Sequence, residues 1–196
     1  MLEAVQELHK LNIVHADIKP QNFLLVDGCL KLIDFGIAIE IPPGQDYAVR
    51  RYTGGTIGYI APEMLGRYII EDGALNLEAM YSIKGVRVTT KTDIWALGMI
   101  LYLETYKVLP FNSVPCRKWA QLKALDPNVP VDFAASIPVD PLLLDVMKKC
   151  LDKNPNNRPT VADLLQHPYL RPRNKQVRVV DKMEVCRVCK GSLRNY

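Results

Sequence analysis

Residues 15–36 read HADIKPQNFLLVDGCLKLIDFG, and this stretch decides how the start of the chain folds. Two short runs with strand-forming composition, FLLV at 23–26 and LKLI at 30–33, flank the dipeptide Asp27-Gly28. Asp-Gly between two such runs is a strong hairpin signal, because Gly accepts the positive φ angle that the turn demands. The sequence therefore predicts a β-hairpin that folds the chain back on itself.

Polar side chains stand at both ends of the predicted hairpin. Asn22 precedes it and Asp34 follows it, so the fold-back brings the two residues together. Two converging oxygen ligands suit Mg²⁺, which prefers hard oxygen atoms and is often shared with phosphate. Asp17, on the same loop as Asn22, is a candidate proton acceptor for a substrate hydroxyl, and Lys19 is a candidate for neutralising phosphate charge. Taken singly, each is better explained as an ordinary loop residue; together, in this order, they favour a chemical site.

The rest of the chain predicts a mostly helical domain. Apolar residues recur at helical spacing over 1–11, and residues 93–106 are apolar nearly all round, which is typical of a buried central helix. Further helices fit 114–125, 141–151 and 160–166. Residues 34–63 are rich in Gly and Pro and predict a long loop without regular elements, and 66–91 form a second polar stretch.

Composition narrows the class of protein. The chain has 196 residues, of which 48% are hydrophobic and 23% charged, so we expect one soluble globular domain. No apolar run is long enough to span a membrane. Five scattered cysteines without a secretion signal favour reduced thiols in an intracellular protein. Cys186-x-x-Cys189 has no second pair to complete a zinc site. Residues 171–196, with eight Lys/Arg and two acidic residues, predict a basic flexible tail without specific nucleic-acid binding.

Five motifs, two of them within residues 15–36, give these residues a context. HADIKPQN followed by DFG resembles the catalytic loop and the magnesium loop of eukaryotic protein kinases. GTIGYIAPE at 55–63 resembles the end of an activation segment, and DIWALGMILY at 93–102 resembles the central buried helix with its capping Asp93. NRPT at 157–160 resembles the Arg-containing turn before the last helix. The landmarks occur in the kinase order over roughly 15–170, and the ordered set is far more specific than any one motif.

The resemblance implies a role for each matching residue. Asp17 orients the attacking hydroxyl and accepts its proton, Lys19 stabilises the transferred phosphate of ATP, and Asn22 and Asp34 hold Mg²⁺. Thr53 and Thr56 would lie in the activation segment that faces the substrate. The remaining matches are structural: His15, Phe35, Gly36, Asp93 and the ion pair between Glu63 and Arg158.

A closer resemblance is to the monopolar spindle (TTK) dual-specificity kinases. It rests on 22–38, on 90–106 and on the stretch from LDPN to HPYL. That family likewise lacks an Arg before the catalytic Asp, where this chain has Ala16. The resemblance implies phosphorylation of Ser and Thr, with Tyr as a further acceptor, a role in the mitotic spindle checkpoint, and a location at the nucleus and kinetochore or in the cytoplasm. Phosphates on Tyr47, Tyr52, Thr53 or Thr56 would have to act through cations other than that Arg.

The expected fold is therefore mainly α: a protein-kinase C-lobe over 1–170 with a small β-hairpin, with the N-lobe absent, followed by the tail 171–196. No G-x-G-x-x-G precedes Asp17. On this expectation the chain alone has little activity, and its partners are protein substrates, ATP and the N-lobe of a complete kinase chain. The alternative is a catalytically inactive, kinase-like binding module or scaffold that docks partners through its helical lobe.

Overall fold

A computed structural model describes residues 1–51, 54–65, 70–71, 74–75, 85–111, 129–133 and 137–171. Three expectations lie outside these residues: the helix over 114–125, the positions of Tyr52 and Thr53, and the tail beyond Arg171. Most of the polar stretch 66–91 lies outside them as well.

Four α-helices occur in the described residues: α1 Leu2–Lys10, α2 Thr90–Tyr106, α3 Pro141–Cys150 and α4 Val161–Gln166. They confirm the helices predicted over 1–11, 93–106, 141–151 and 160–166. The last one begins with a capping box, in which the Thr160 hydroxyl accepts the N–H of Asp163 and the Asp163 carboxylate accepts the N–H of Thr160. Periodic apolar residues and a capping signal were sufficient to locate these helices.

The start of α2 differs from the expectation that Asp93 caps it. Thr89 is the N-cap residue, and its hydroxyl accepts the backbone N–H of Lys91 at 3.2 Å. Asp93 lies a full turn inside the helix, where the backbone N–H groups already have intrahelical partners. Its fully buried carboxylate therefore faces the loop that carries Asp17.

Eight short strands form four antiparallel pairs in the described residues. Their bounds are β1 Ile13–Val14, β2 Phe23–Val26, β3 Cys29–Leu32, β4 Ile39–Glu40, β5 Ala48–Arg50, β6 Ile70–Glu71, β7 Ala74–Leu75 and β8 Val86–Val88. The pairs are β1 with β4, β2 with β3, β5 with β8, and β6 with β7. The pair β2–β3 is the predicted hairpin, and its turn places Asp27 and Gly28 at φ angles of 50° and 77°.

The expected fold class, mainly α with the N-lobe absent, is wrong. Strands begin at Ile13, and five of them precede residue 51, which is early β-structure of the kind that an N-lobe contributes. Residues 34–63 are also not a featureless loop, since they contain β4, β5 and the start of the 3₁₀ turn Pro62–Leu65. Strands of two or three residues are too short to show an alternation of apolar and polar side chains in the sequence. Pairing with another segment of the folded chain is what fixes them.

The core has two clusters, and α2 contributes to both. One gathers Trp95 and Met99 with Met147 of α3, and the other gathers Ile94 and Ile100 with apolar residues of α1, α3 and α4. A helix that is apolar on all sides is buried by neighbours on all sides. The packing of α2 fixes Asp93 at the centre of the molecule, next to the predicted catalytic loop.

Candidate active site

The loop after β1 is held by one buried carboxylate. Asp93 is fully buried and accepts the backbone N–H of His15 at 2.9 Å on Oδ2 and that of Ala16 at 2.8 Å on Oδ1. A buried charge is tolerated only when hydrogen bonds satisfy it. The two N–H groups supply such bonds, so the loop that precedes Asp17 is anchored on α2.

His15 links this loop to the end of the hairpin. Its ring is fully buried, its Nε2 bonds to the carbonyl oxygen of Ile33 at 3.0 Å, and its Nδ1 accepts the N–H of Asp17 at 3.3 Å. Nε2 is therefore the protonated nitrogen of this imidazole. The ring of Phe35 meets His15 edge-on, with centroids 5.2 Å apart. Both aromatic residues thus pack between the two predicted loops.

Asp17, Lys19 and Thr56 form a closed triangle of hydrogen bonds. Lys19 Nζ donates to Asp17 Oδ2 at 2.8 Å and to Thr56 Oγ1 at 2.9 Å, and Thr56 Oγ1 donates to Asp17 Oδ1 at 2.7 Å. Burial raises the pKa of Asp17, but the hydrogen bonds from Lys19 and Thr56 outweigh it, and the net pKa is lowered. The carboxylate is therefore ionised near neutral pH and able only to accept hydrogen bonds.

Asn22 and Asp34 flank the same end of the hairpin. The buried Asn22 donates from its side-chain Nδ2 to the backbone carbonyl oxygen of Asp17 at 2.8 Å. The backbone carbonyl oxygen of Asn22 accepts the N–H of Ile33 at 2.9 Å. Asp34 follows Ile33 directly, and its Oδ1 accepts the N–H of Gly36 at 3.3 Å. A Cβ atom on Gly36 would lie 3.2 Å from that oxygen, so a residue without a side chain leaves the carboxylate its room.

These two residues fit Mg²⁺ by their chemistry. The bonds of Asn22 described above use its amide nitrogen and leave its amide oxygen outside them, and Asp34 offers a carboxylate. Mg²⁺ typically takes one or two carboxylate-type oxygens and completes its octahedron with water and phosphate. Nowhere in the described part of the chain do three or more His, Cys, Asp or Glu residues cluster as metal ligands, so an all-protein metal cage is not present there.

Two residues of the site hold strained backbone. Ala16 and Asp34 both have a φ angle of 62°, a left-handed conformation that costs a non-glycine residue roughly 1–3 kcal/mol. Such residues persist only where the surroundings hold them, as Asp93 holds Ala16. Gly55, at φ 113°, passes so near that a Cβ there would lie 3.0 Å from the carbonyl oxygen of Ala16. The segment that carries Thr56 therefore approaches the Asp17 loop closely.

Glu63 and Arg158 form a bidentate ion pair. Arg158 Nη1 donates to Glu63 Oε1 at 2.7 Å and Nη2 donates to Oε2 at 2.8 Å, with the Arg158 side chain fully buried. The same guanidinium lies 5.0 Å from the ring centre of Trp95 and donates to the carbonyl oxygens of Lys91 and Asp152. The pair ties the turn Pro62–Leu65 to the segment before α4.

Comparison with known proteins places the chain in a family. The model of the protein kinase domain matches residues 1–170. The chain belongs to the protein kinase family. The match runs from the first residue of the chain, which together with the early strands overturns the expectation that the N-lobe is absent. The resemblance to protein kinases predicted from the motifs is confirmed at the level of the family.

Several relatives of this kinase-family chain are similar over most of its length. It is 44% identical to the dual specificity protein kinase Ttk of Danio rerio over 171 residues, which are 87% of this chain and 16% of the relative. It is 40% identical to the Mus musculus dual specificity protein kinase TTK, over 87% of this chain and 19% of the relative. It is also 40% identical to the serine/threonine-protein kinase mph1 of Schizosaccharomyces pombe, over 88% of this chain and 26% of the relative. The chain thus spans about a quarter or less of these relatives.

Sequence reasoning missed two residues of the kinase chain that contact the site. His9 of α1 bonds through Nε2 to Asp93 Oδ2 at 2.8 Å, and Arg50 of β5 donates from Nη2 to the carbonyl oxygen of Ile37. His9 and Asp93 are 84 positions apart, and Arg50 stands in a stretch predicted to be irregular. No local pattern marks either one, because tertiary packing creates both contacts.

No helix among the described residues is long and apolar enough to cross a membrane.

Proposed function

We propose that this chain transfers the γ-phosphoryl group of ATP to Ser and Thr hydroxyls of protein substrates, with Mg²⁺ as the metal. The observation that carries the proposal is the environment of the Asp17 carboxylate. One of its oxygens accepts the Thr56 hydroxyl at 2.7 Å, and the other accepts Lys19 Nζ at 2.8 Å. A carboxylate that already accepts a threonine hydroxyl beside an ammonium group is suited to accept the hydroxyl of a substrate.

Each side chain then has a defined role in the reaction. The substrate hydroxyl donates a hydrogen bond to Asp17, its oxygen forms a bond to the γ-phosphorus of ATP, and the bond from that phosphorus to the bridging oxygen breaks to release ADP. The proton passes to Asp17. Lys19, held between Asp17 and Thr56, neutralises charge on the transferred group. Asn22 and Asp34 would hold Mg²⁺, which when bound offsets phosphate charge.

The lowered pKa of Asp17 supports a role mainly in orienting the substrate hydroxyl. A carboxylate that stays ionised is a weak base, so it accepts the proton only as the new oxygen–phosphorus bond acidifies the hydroxyl. Holding the hydroxyl in line with the phosphate is the larger contribution, because positioning dominates phosphoryl transfer. The anchoring of the Asp17 loop on Asp93 supports that role.

Substrate class and cellular role are proposed from the relatives. Two of them are named dual specificity kinases, which supports Tyr as an acceptor in addition to Ser and Thr. The resemblance to the TTK kinases also supports a role in the mitotic spindle checkpoint, within the nucleus and at the kinetochore or in the cytoplasm. ATP and protein substrates are the proposed partners.

The test is phosphorylation of a generic basic protein by the full-length protein that contains this chain, with radiolabelled ATP. Asp17→Asn should lower kcat by roughly 10²- to 10⁴-fold, the usual contribution of a positioned acid–base group. Asp27→Asn is the matched control, because Asp27 is exposed in the hairpin turn and Asn tolerates its positive φ angle. Wild-type activity in Asp17→Asn would contradict the role of Asp17, and an inactive but folded wild type would favour the binding module or scaffold.

A further inference from the structure

Arg50 reaches from β5 to the end of the candidate magnesium loop, residues 34–36. It is the last residue of β5, and its backbone is fixed by the pairing of β5 with β8, in which Arg50 lies opposite Val86. Its Nη2 donates to the carbonyl oxygen of Ile37, the residue directly after the Asp34-Phe35-Gly36 loop. A guanidinium on a paired strand therefore holds the exit of the candidate magnesium loop.

The other side of the guanidinium faces the segment that leads to Thr56. Arg50 Nη1 is buried and has no hydrogen-bond partner among the described residues, and a Cβ atom on Gly54 would lie 3.2 Å from it. Burial lowers the pKa of Arg50, and the carboxylate of Asp93, which also holds the Asp17 loop, partly offsets that effect. Arg50 thus lies between the magnesium loop, the Thr56 segment and the anchor of the catalytic loop.

Local structure alone holds the exit of the magnesium loop weakly. Ala38 N–H bonds back to the carbonyl oxygen of Phe35 at 3.0 Å, and β4 pairs with β1 through two residues only. Both contacts leave the carbonyl of Ile37 to other donors. Arg50 supplies a charged donor there from a part of the chain 13 positions away. Hydrogen bonds from charged groups are stronger than neutral ones, so this contact adds more than a further loop bond would.

We propose that Arg50 is a positioning residue, which holds residues 34–37 against the segment that leads to Thr56 and thereby fixes Asp34 relative to Asp17. The catalytic loop has Ala16 before Asp17 and offers no guanidinium of its own at that position. Arg50 links the segments without any added phosphate, since its partner is a backbone carbonyl. The proposal rests on the proposed function in one respect, that Asp34 holds Mg²⁺.

The experiment compares Arg50→Ala, Arg50→Lys and Arg51→Ala in the full-length protein. Arg51 is the matched control, because it is the adjacent residue, of the same type, and exposed. The first measurement is amide hydrogen exchange over residues 34–41 without nucleotide or metal. Arg50→Ala should speed exchange there by about tenfold or more, the effect of losing one hydrogen bond to a charged donor. Arg51→Ala should leave it unchanged, and Arg50→Lys should lie between, because one ammonium group can replace Nη2 only.

The second measurement is the Mg²⁺ concentration that gives half-maximal kinase activity. It should rise in Arg50→Ala, recover partly in Arg50→Lys and stay at the wild-type value in Arg51→Ala. Unchanged exchange over 34–41 in Arg50→Ala overturns the proposal, and so does a uniform increase over the whole chain with an unchanged Mg²⁺ requirement, which would be general destabilisation. If the wild type itself has no activity, the proposed function fails, while the exchange measurement still decides the role of Arg50.

Discussion

The Thr56 hydroxyl helps Lys19 to lower the pKa of Asp17. Burial alone would raise the pKa of this carboxyl, and the hydrogen bonds from Lys19 and Thr56 reverse that effect. We expect Thr56→Val, which keeps the shape and removes the donor, to raise the pKa of Asp17. The measurement is a carbon-13 NMR titration of the Asp17 carboxyl in both proteins. Thr105→Val is the control, since that hydroxyl bonds to the carbonyl oxygen of Leu101 within α2.

The lowered pKa of Asp17 also predicts how the stability of the fold changes with pH. Because the pKa of Asp17 is lower in the folded chain, the unfolded chain binds more protons between the two pKa values. The contribution of Asp17 is therefore complete above the unfolded pKa and is lost as pH falls through the folded pKa. Urea unfolding across the acid range should show a weaker rise of stability with pH in Thr56→Val. An Asp17 titration that is the same in both proteins would refute this account of its pKa.

Single residues were predictable where the chain brings them together locally. Asp17, Asn22 and Asp34 lie within 18 positions, and one hairpin with an Asp-Gly turn suffices to bring the last two to the same end. His9 and Arg50 were not predictable, because each reaches its partner through the packing of separate elements. The motif alone implies that Asp93 caps a helix, whereas its contacts with the Asp17 loop depend on where α2 lies.

Helices and strands also differ in how well the sequence predicts them. α2 and α3 carry enough apolar residues in a regular pattern to be predicted from sequence. The strands β4 and β5 have two and three residues in a segment rich in Gly and Pro, so composition indicated a loop. Their pairing with β1 and β8 depends on contacts that only the folded chain creates. The error in the fold class follows from this, since short strands carry no periodic signal.

The ion pair between Glu63 and Arg158 joins the turn Pro62–Leu65 to the segment before α4, and removing one partner tests how strongly it does so. Glu63→Ala would leave the fully buried guanidinium of Arg158 without its carboxylate, although three backbone carbonyls still accept from it. Removing one partner of a buried pair typically costs about 3–5 kcal/mol, and we expect a loss of stability of that order in urea unfolding.

The control for this prediction is an exposed pair. Glu7 and Lys10 on α1 lie 2.7 Å apart with about half of each side chain exposed. Exposed pairs contribute about 0–1 kcal/mol, so Glu7→Ala should change the free energy of unfolding little. Equal losses in the two variants would mean that burial does not strengthen the dependence on Glu63, and that the turn Pro62–Leu65 is held by other contacts.

At the scale of the whole molecule, α2 and α3 touch at a position where only a glycine fits. Gly98 lies in the middle of α2, and a Cβ atom there would lie 2.7 Å from Cys150 Cβ and 2.9 Å from Leu151 Cδ2. Burial raises the pKa of Cys150 to about 12, so its thiol stays neutral and packs as a small apolar group. This close approach brings the helix that carries Asp93 against the rest of the core.

Gly98→Ala should therefore destabilise the protein. Ala favours a helix interior over Gly by about 1 kcal/mol, so a helix without this contact would become more stable. Overpacking a core typically costs about 1–3 kcal/mol, and a contact with the backbone-attached Cβ of Cys150 cannot be relieved by a rotamer change. We expect a net loss in urea unfolding of the single variant. In a Cys150→Gly background the nearest clashing atom is gone, so the same substitution should cost less or become stabilising. An equal cost in both backgrounds would mean that α2 and α3 do not approach each other at this point, and that Asp93 owes its position to other contacts.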